Sequence, residues 1–244
     1  MGLQKLKIIG NGDAFGSGNR FHTCFYLESD KTKVLVDCGA TSIHHLIESG
    51  TDLNDIDLIL LSHFHGDHFG GIPFFLLNSF FLSGRIKPLT IIGPEQCETR
   101  IEALIEAMYP GLTKKFRKMD LTYLEYNKTI NFNDLEIRAF PVVHSPPSNP
   151  HGIRVESGNN VFGYSGDTEW TDNLYDLSLH SDIFICECNY YDLEVRGHLN
   201  YKILRDKLNK IKSRRIMLTH MGEDMINSSQ IELERTVQDQ EYNF

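Results

Sequence analysis

The sequence predicts an α/β fold in which two mixed β-sheets pack face to face with helices on their outer sides. Two observations support this prediction: short apolar segments recur along all 244 residues, and a few segments with helical periodicity lie between them. The first half of the chain looks hairpin-like, and strands and helices alternate afterwards. We expect a single domain over residues 1–244, because α/β architectures reach this length without dividing.

Eleven short segments have the composition of strands. In chain order they are residues 5–9, 21–27, 33–36, 57–61, 89–92, 121–126, 135–140, 153–156, 161–164, 182–186 and 215–218. We expect these segments to form the two sheets.

Three segments have the pattern of helices. The clearest covers residues 95–108, where apolar side chains recur at positions i, i+3, i+4 and i+7. A second covers residues 42–49 and ends at Gly50, a residue type that commonly terminates helices. The third covers about residues 200–210. No internal repeat and no low-complexity linker is evident in the sequence.

The charge balance argues against large polyanionic partners. The chain has 24 basic and 33 acidic residues and a formal net charge of −9, so its summed field does not attract nucleic acids over long distances. The basic run at residues 114–118 is the one segment that could hold a phosphate locally. A solvated helix face is the simpler interpretation of that run.

Five cysteines without a Cys-x-x-Cys pair indicate a reduced protein rather than a disulfide framework. The first ten residues lack the apolar core of a signal peptide, so we expect a cytoplasmic location. The richest apolar run, residues 72–82, is shorter than the ~20 residues of a transmembrane helix and contains Pro73. We therefore expect a soluble protein with no membrane contact.

The most informative stretch is residues 63–68, which read His-Phe-His-Gly-Asp-His directly after a predicted strand. On an extended backbone, His63 and His65 alternate so that their rings can face one point. Asp67 and His68 follow the glycine and can face a second point nearby. This spacing suits two metal ions better than one. Imidazole nitrogen together with carboxylate oxygen favours zinc, and manganese and iron also accept such ligands.

Further polar residues accumulate where later strands end. His144, Asp167 and His220 each come shortly after a predicted strand, and a rigid sheet can gather such side chains into one site. Taken singly each is an ordinary loop residue, and only the set predicts metal binding. Five other histidines fit no motif, and we interpret them as surface or hydrogen-bonded residues: His22, His44, His45, His151 and His180.

Together these motifs resemble those of the metallo-β-lactamase superfamily, and the match spans residues 8–222. The resemblance implies a four-layer αββα sandwich with two metal ions at one edge of the sheets, sharing a hydroxide that serves as the nucleophile for hydrolysis. The ligands that it implies are His63, His65 and His144 for one ion, Asp67, His68 and His220 for the other, and Asp167 as the bridge.

Within the superfamily, the motifs are most similar to those of ribonuclease Z and related small phosphodiesterases. The glycine-rich opening at residues 8–18 and the Val-Asp-Cys-Gly sequence at residues 36–39 resemble theirs. So does Gly197-His198-Leu199, which resembles the additional histidine that those enzymes place beside the scissile phosphate. Asp167 stands where the best-known zinc β-lactamases carry a cysteine, so we do not expect cleavage of β-lactam antibiotics.

We expect His198 to be a catalytic acid, because an imidazolium can donate a proton or a hydrogen bond where a phosphodiester develops negative charge. It could instead be a polar residue at a helix N-terminus with no catalytic role. We assign Asp67 a catalytic role beside its metal-binding role. Glu187 could orient His198, and Asp37 could orient a metal-binding histidine, although backbone hydrogen bonding explains either carboxylate equally well.

The predicted function is a metal-dependent hydrolase that acts on a small phosphodiester of the cyclic nucleotide or cyclic ribose phosphate type. Ribonuclease Z enzymes carry a basic arm that grips transfer RNA. The segment between the histidine motif and His144 holds a compact helix instead, which disfavours a transfer RNA 3′ endonuclease. The motifs are also compatible with a thioester or lactone hydrolase on the same metals, or with a non-catalytic metal or ligand sensor. A homodimer is possible, and the candidate phosphate contacts are Arg20, Arg154 and Lys202.

Overall fold

The structure is a computed structural model that describes residues 2–244. Its strands in chain order are β1 (Leu3–Gly10), β2 (Cys24–Ser29), β3 (Lys33–Val36), β4 (Leu58–Leu60), β5 (Leu89–Gly93), β6 (Leu121–Glu125), β7 (Ile130–Phe132), β8 (Leu135–Pro141), β9 (His151–Ser157), β10 (Asn160–Tyr164), β11 (Ile183–Glu187), β12 (Ile216–Thr219), β13 (Glu234–Arg235) and β14 (Glu241–Asn243).

Its α-helices are short apart from the fourth. They are α1 (Ser42–Glu48), α2 (Gly66–Phe69), α3 (Ile72–Leu77), α4 (Cys97–Met108), α5 (Thr113–Phe116), α6 (Asn173–Ser178), α7 (Tyr201–Asp206) and α8 (Glu223–Asn227). A π-helical turn at Asn78–Leu82 extends α3, and 3₁₀ turns lie at Ser17–Asn19, Leu53–Asp55, Pro146–Ser148 and Leu208–Lys210.

The strands form two mixed seven-stranded sheets. The order of the first is β14-β1-β2-β3-β4-β5-β6, and the order of the second is β13-β12-β11-β10-β9-β8-β7. In the first sheet β1 to β3 are antiparallel and β3 to β6 are parallel. In the second sheet β7 to β10 are antiparallel and β10 to β13 are parallel.

The first half starts with hairpins, as expected, but it continues with parallel strands, and the second half repeats the same order of hairpins and parallel strands. Parallel partners require crossover connections of a dozen or more residues. Local sequence patterns do not report such distant pairing.

Three apolar clusters separate four layers. One lies between the two sheets, where the rings of Phe25 and Tyr164 meet edge to face at 5.2 Å between centroids. A second lies between the first sheet and α1, α3 and α4, and includes Leu46, Phe75 and Ile101. The third lies between the second sheet and α6, α7 and α8. The arrangement is the αββα sandwich, and the predicted fold is confirmed.

The predicted elements agree with the structure except at the edges and ends. All eleven predicted strands are present, whereas β7, β13 and β14 are additional. These three are only two or three residues long. An alternation of apolar and polar residues cannot be recognised in so short a segment. The helix predicted at residues 95–108 begins at Cys97, and the α-helix predicted at residues 200–210 ends at Asp206.

Strand register brings the site residues to one edge of the sandwich. Val36 pairs with Leu60 in the first sheet, and Glu187 pairs with Thr219 in the second. The carboxyl ends of these parallel strands are therefore level, and the loops that follow them are neighbours. This is where ligands bind in many α/β sheets.

Among residues 2–244, no helix combines the length and the hydropathy that crossing a bilayer requires. The five cysteines are buried thiols. Burial raises the pKa of Cys38 and of Cys186, which keeps both thiols protonated and unreactive.

Candidate metal centre

The structure brings the seven predicted ligands together at the carboxyl edge of the sheets. They form two groups in which the potential ligand atoms lie within 4.8 Å of one another. The first group is His63, His65 and His144, and the second is Asp67, His68, Asp167 and His220. This division is the one that the family resemblance implies, and two adjacent His/Asp groups are typical of a dinuclear metal site. The assignment of each side chain as a ligand stays a prediction.

The Asp167 carboxylate lies between the two groups. Its Oδ2 atom is 3.9 Å from the Nε2 atoms of His63 and of His144 in the first group. The same oxygen is 3.4 Å from Nε2 of His68 and 3.3 Å from Nε2 of His220 in the second group. One oxygen that faces nitrogens of both groups has the position that a bridging ligand needs.

Asp37 contacts one histidine of each group, His68 directly and His63 through Ser62. Its Oδ2 atom is 2.8 Å from Nδ1 of His68 and accepts a 2.7 Å hydrogen bond from the hydroxyl of Ser62. The Ser62 hydroxyl is in turn 3.0 Å from Nδ1 of His63. Hydrogen bonds of this kind set the orientation and tautomer of metal-binding histidines. The sequence offered no signal for Ser62, since a serine beside a histidine motif is commonplace.

Backbone and amide groups orient two further imidazoles. Nδ1 of His144 donates to the carbonyl of Gly197 at 2.7 Å. A Cβ atom at Gly197 would lie 2.8 Å from that nitrogen, and this backbone has a φ of +87°, so the position requires glycine. Asn189 donates to the carbonyl of His220 at 2.8 Å, which holds His220 at a φ of +55°.

The donor set fits a pair of divalent cations. Nε2 of His63, Nε2 of His68 and Oδ1 of Asp167 are buried without a hydrogen-bond partner. Leaving three such atoms unsatisfied would cost about 1–3 kcal/mol each, which cations placed between the two groups would offset. Nitrogen and carboxylate oxygen without thiolate are ligands that zinc, manganese and iron accept.

Protonation of the cluster follows from its burial and charges. Burial raises the pKa of Asp167, but His220 and His68 outweigh this effect and hold its pKa well below the usual range. Burial lowers the pKa of His63 well below its usual value. Burial also lowers the pKa of His68, but the carboxylates of Asp167 and Asp67 outweigh it and raise the pKa overall. Metal binding would displace that proton, because only the neutral imidazole is a ligand.

His198 lies beside the cluster and not within the two groups. Its Nδ1 atom is 3.0 Å from Oε1 of Glu187, which is fully buried at the end of β11. Its ring stacks on His220 at 5.6 Å between centroids, and one of its nitrogens lies within 4.8 Å of ligand atoms of Asp167 and His144. Burial lowers the pKa of His198, but Glu187 outweighs it and raises the pKa to about 9.

All three candidate phosphate contacts are engaged by other groups of the protein. The Arg154 guanidinium is buried and is held by Glu156 and by the carbonyls of Leu177 and Leu179, so the expectation that it contacts phosphate is wrong. Lys202 is exposed and its Nζ atom is 2.9 Å from Asp192. Arg20 donates to the backbone carbonyls of Ser17 and Met221 and fastens the glycine-rich loop.

The five histidines outside the motifs differ from the expectation at one position. His44 and His180 are exposed, and His151 bonds to the carbonyl of Asn149 at 3.0 Å. His45 is buried and bonds to Asp239 at 3.1 Å. His22 is half-buried, and its Nδ1 atom is buried without a partner.

A protein-family model described as "Anti-Pycsar protein Apyc1" matches residues 4–242. A ribonuclease Z of Methanococcus maripaludis is 33% identical over 144 residues, which are 59% of this chain and 46% of that relative. The match therefore spans less than half the length of that relative.

Solved structures show the same fold at low sequence identity. The metallo-beta-lactamase fold protein YhfI from Bacillus subtilis has a TM-score of 0.76 at 19% identity, with 98% of this chain and 99% of that chain covered. The Zn(2+)-bound PqqB from Methylobacterium extorquens has a TM-score of 0.76 at 11% identity, with 98% and 100% covered. These similarities establish the metallo-β-lactamase fold.

Proposed function

The chain belongs to the family described as anti-Pycsar protein Apyc1 and is a metal-binding hydrolase of the metallo-β-lactamase fold, and from this premise we propose that it hydrolyses small cyclic phosphodiesters. Cyclic nucleotides and cyclic ribose phosphates are the substrate class. The observation that carries the proposal is the Glu187–His198 pair beside Asp167, because a half-buried imidazole that a carboxylate orients can donate a proton to the departing oxygen of a phosphodiester.

Two divalent cations, with zinc as the first choice, would be held by the two groups of ligands with Asp167 as the shared carboxylate. When bound, they would neutralise charge on the phosphoryl oxygens and activate a water molecule for attack on phosphorus. Asp67 contributes to this part of the site through its contact with His220. Oδ2 of Asp67 is 3.1 Å from Nε2 of His220.

His198 is proposed to protonate the departing oxygen. As the bond from phosphorus to the attacking oxygen forms and the ester bond breaks, the leaving alkoxide takes a proton from His198. A positioned acid of this kind contributes about 10²–10⁴ in rate. The Glu187 carboxylate raises the pKa of His198 and so favours its protonated form. The ring is accessible, because 18% of the side chain is solvent-exposed.

Glu187 is proposed to position His198. Its Oε2 and Oε1 atoms also accept hydrogen bonds from the backbone N–H groups of Asn189 and Thr168, at 3.1 and 2.9 Å. These contacts fix the carboxylate before any substrate arrives. The preorganised pair therefore holds the proton-donating ring at a constant place relative to Asp167.

Cleavage of transfer RNA is the second candidate, because curated relatives are named ribonuclease Z. A net charge of −9 opposes it, since contacts between phosphates and Lys or Arg supply most non-specific nucleic-acid affinity. Membership of the Apyc1 family is consistent with a small cyclic substrate.

The test combines elemental analysis of the pure protein with turnover of four substrates: a 3′,5′-cyclic nucleotide, a precursor transfer RNA, a thioester and a lactone. We expect about two metal ions per chain and fastest turnover of the cyclic nucleotide. Preferred cleavage of the thioester or lactone would contradict the proposal, and preferred cleavage of the transfer RNA would select the second candidate. Metal binding without any turnover would indicate a metal or ligand sensor.

A further inference from the structure

A cavity of 530 Å³ adjoins the metal centre, and His198 forms part of its wall. Cavities of about 300–1,000 Å³ are the size of small-molecule sites in proteins. Because His198 also lies within 4.8 Å of Asp167 ligand atoms, a molecule whose phosphate sits at the metal centre could extend directly into this space. Metal binding and proton donation leave the rest of the cavity unused.

One part of the cavity wall is apolar and aromatic. Trp170 lines it together with Leu199 and Ile203 of the α7 region. The residue before Trp170 is fixed to the loop that carries His144, because the N–H of Glu169 donates to the carbonyl of Val143 at 2.8 Å. The ammonium groups of Lys207 and Lys210 lie over the indole itself, at 5.5 and 5.9 Å from its centroid. Flat aromatic faces of this kind stack nucleobases.

Another part of the wall is acidic. Glu169 and Glu194 line the cavity, and Arg196 is the one basic residue on its lining. Oε1 of Glu169 accepts the N–H of Gly197 at 2.8 Å, which secures the loop before His198. Carboxylates accept hydrogen bonds from the N–H groups at the edge of a nucleobase. They also repel a second phosphate, which a polynucleotide would bring to the position beside the scissile one.

Resting on the proposed function, the geometry points to a nucleobase subsite: the Trp170 cavity receives the base of a cyclic mononucleotide whose phosphate lies at His198. The acidic wall selects substrates with a single phosphate and a base edge that donates hydrogen bonds. The carboxylates of Glu169 and Glu194 would disfavour the flanking phosphate that an RNA substrate brings.

Trp170 is the only tryptophan in the chain, so its fluorescence reports on the cavity alone. The metal-loaded protein is titrated with the hydrolysis-resistant phosphorothioate analogue of 3′,5′-cyclic AMP. We expect a saturable change in tryptophan emission, and no change with glycerol 1,2-cyclic phosphate, which has no base. If the analogue competes with substrate but leaves the emission unaltered, the base does not lie against Trp170 and the inference fails.

Kinetics give a second readout. Trp170→Ala is expected to raise the KM for cyclic AMP by ~5- to 150-fold, the equivalent of losing one stacked base, with kcat for glycerol 1,2-cyclic phosphate unchanged. Trp170→Phe keeps a stacking face and should recover most of the affinity. Phe81→Ala removes an exposed aromatic side chain that does not line the cavity and serves as the matched control.

The outcomes separate the two claims. If the wild type turns over cyclic phosphates but Trp170→Ala leaves the KM for cyclic AMP unchanged, the subsite is wrong and the proposed function stands. If the wild type turns over no phosphodiester, the proposed function is wrong, and the fluorescence titration still decides whether the cavity binds a base.

The proposed repulsion between the acidic wall and a flanking phosphate is tested by a separate variant. Glu194→Lys reverses the charge on the exposed part of the wall, so we expect a several-fold lower KM for the dinucleotide pApA. Glu98→Lys makes the same charge change at an exposed position on α4 and should leave that KM as it is. Equal KM values in the two variants would overturn the proposed discrimination against flanking phosphates.

Discussion

The carboxylate of Asp37 reaches the imidazole of His68 at 2.8 Å between Oδ2 and Nδ1. Asp37 is fully buried, lies directly after β3 and has a backbone φ of +58°, which is uncommon for a residue with a side chain. The backbone conformation therefore serves to turn this carboxylate toward the site. Through Ser62 the same carboxylate also reaches His63, so one residue supports both groups of ligands.

The carboxylate of Asp37 accepts from His68, from the Ser62 hydroxyl and, at Oδ1, from the Ser62 N–H at 2.7 Å. Asp37→Asn is expected to weaken metal binding by ~10- to 100-fold, because an amide cannot accept from all three donors. The measurement is metal affinity by competition with a chromophoric chelator. Asp52→Asn, in the loop before the 3₁₀ turn at Leu53–Asp55, changes an exposed aspartate and is the control. Unchanged affinity in Asp37→Asn would mean that the histidines are oriented without it.

Asp167→Ala is expected to lose metal and activity together, because the oxygen that faces both groups disappears. Elemental analysis after dialysis measures the metal, and turnover of a cyclic nucleotide measures the activity. Retention of two ions per chain would exclude the bridging role of this carboxylate.

His198→Ala should keep about two metals and lose ~10² to 10⁴ in kcat for substrates whose departing alkoxide is strongly basic. The loss should be much smaller for a p-nitrophenyl ester, whose leaving group needs no proton. Glu187→Gln should show the same dependence on the leaving group to a smaller degree, since it acts through His198. An equal loss for both kinds of leaving group would rule out proton donation.

Removal of metal should lower thermal stability. Bound ions present at about 1,000 times their dissociation constant contribute about 4 kcal/mol to the free energy of unfolding, which for a chain of this size corresponds to roughly 10 °C in Tm. Differential scanning fluorimetry with and without a chelator measures the difference. The Asp167→Ala variant should show almost no response to the chelator, and a full response would point to metal bound elsewhere.

Glu156 provides a pH-dependent contribution to stability outside the metal centre. Burial raises its pKa, but Arg154 and Arg138 outweigh this and lower it below the ordinary value. Because the folded-state pKa is the lower one, the stabilisation is complete at neutral pH and disappears as the pH falls through the folded-state pKa. Because Glu156 and Arg138 are partly exposed, we expect Glu156→Gln to lose only about 0.5–1 kcal/mol at pH 7 and much less in acid, measured by urea denaturation. A pH-independent loss would contradict this linkage.

The sequence predicted the sandwich and the set of residues at its edge because both depend on short-range patterns. The spacing of His63, His65 and His68 and the position of Asp167 after an apolar strand are readable along the chain. The sequence did not show whether neighbouring strands are parallel or antiparallel. Parallel partners such as β4 and β5 are separated along the chain by helices, and local patterns do not report their pairing. Neither Ser62 nor Asn189 carries a motif, because each acts through a hydrogen bond that exists only once distant loops meet.

The division of the ligands between the two sheets has a consequence during synthesis. His63 follows β4 of the first sheet and His220 follows β12 of the second. A growing chain on the ribosome lacks His220, the last of the seven predicted ligands, until residue 220 has left the exit tunnel. A translation product truncated before this residue would hold an incomplete second group, so full cation loading marks a chain that has been made and folded through β12.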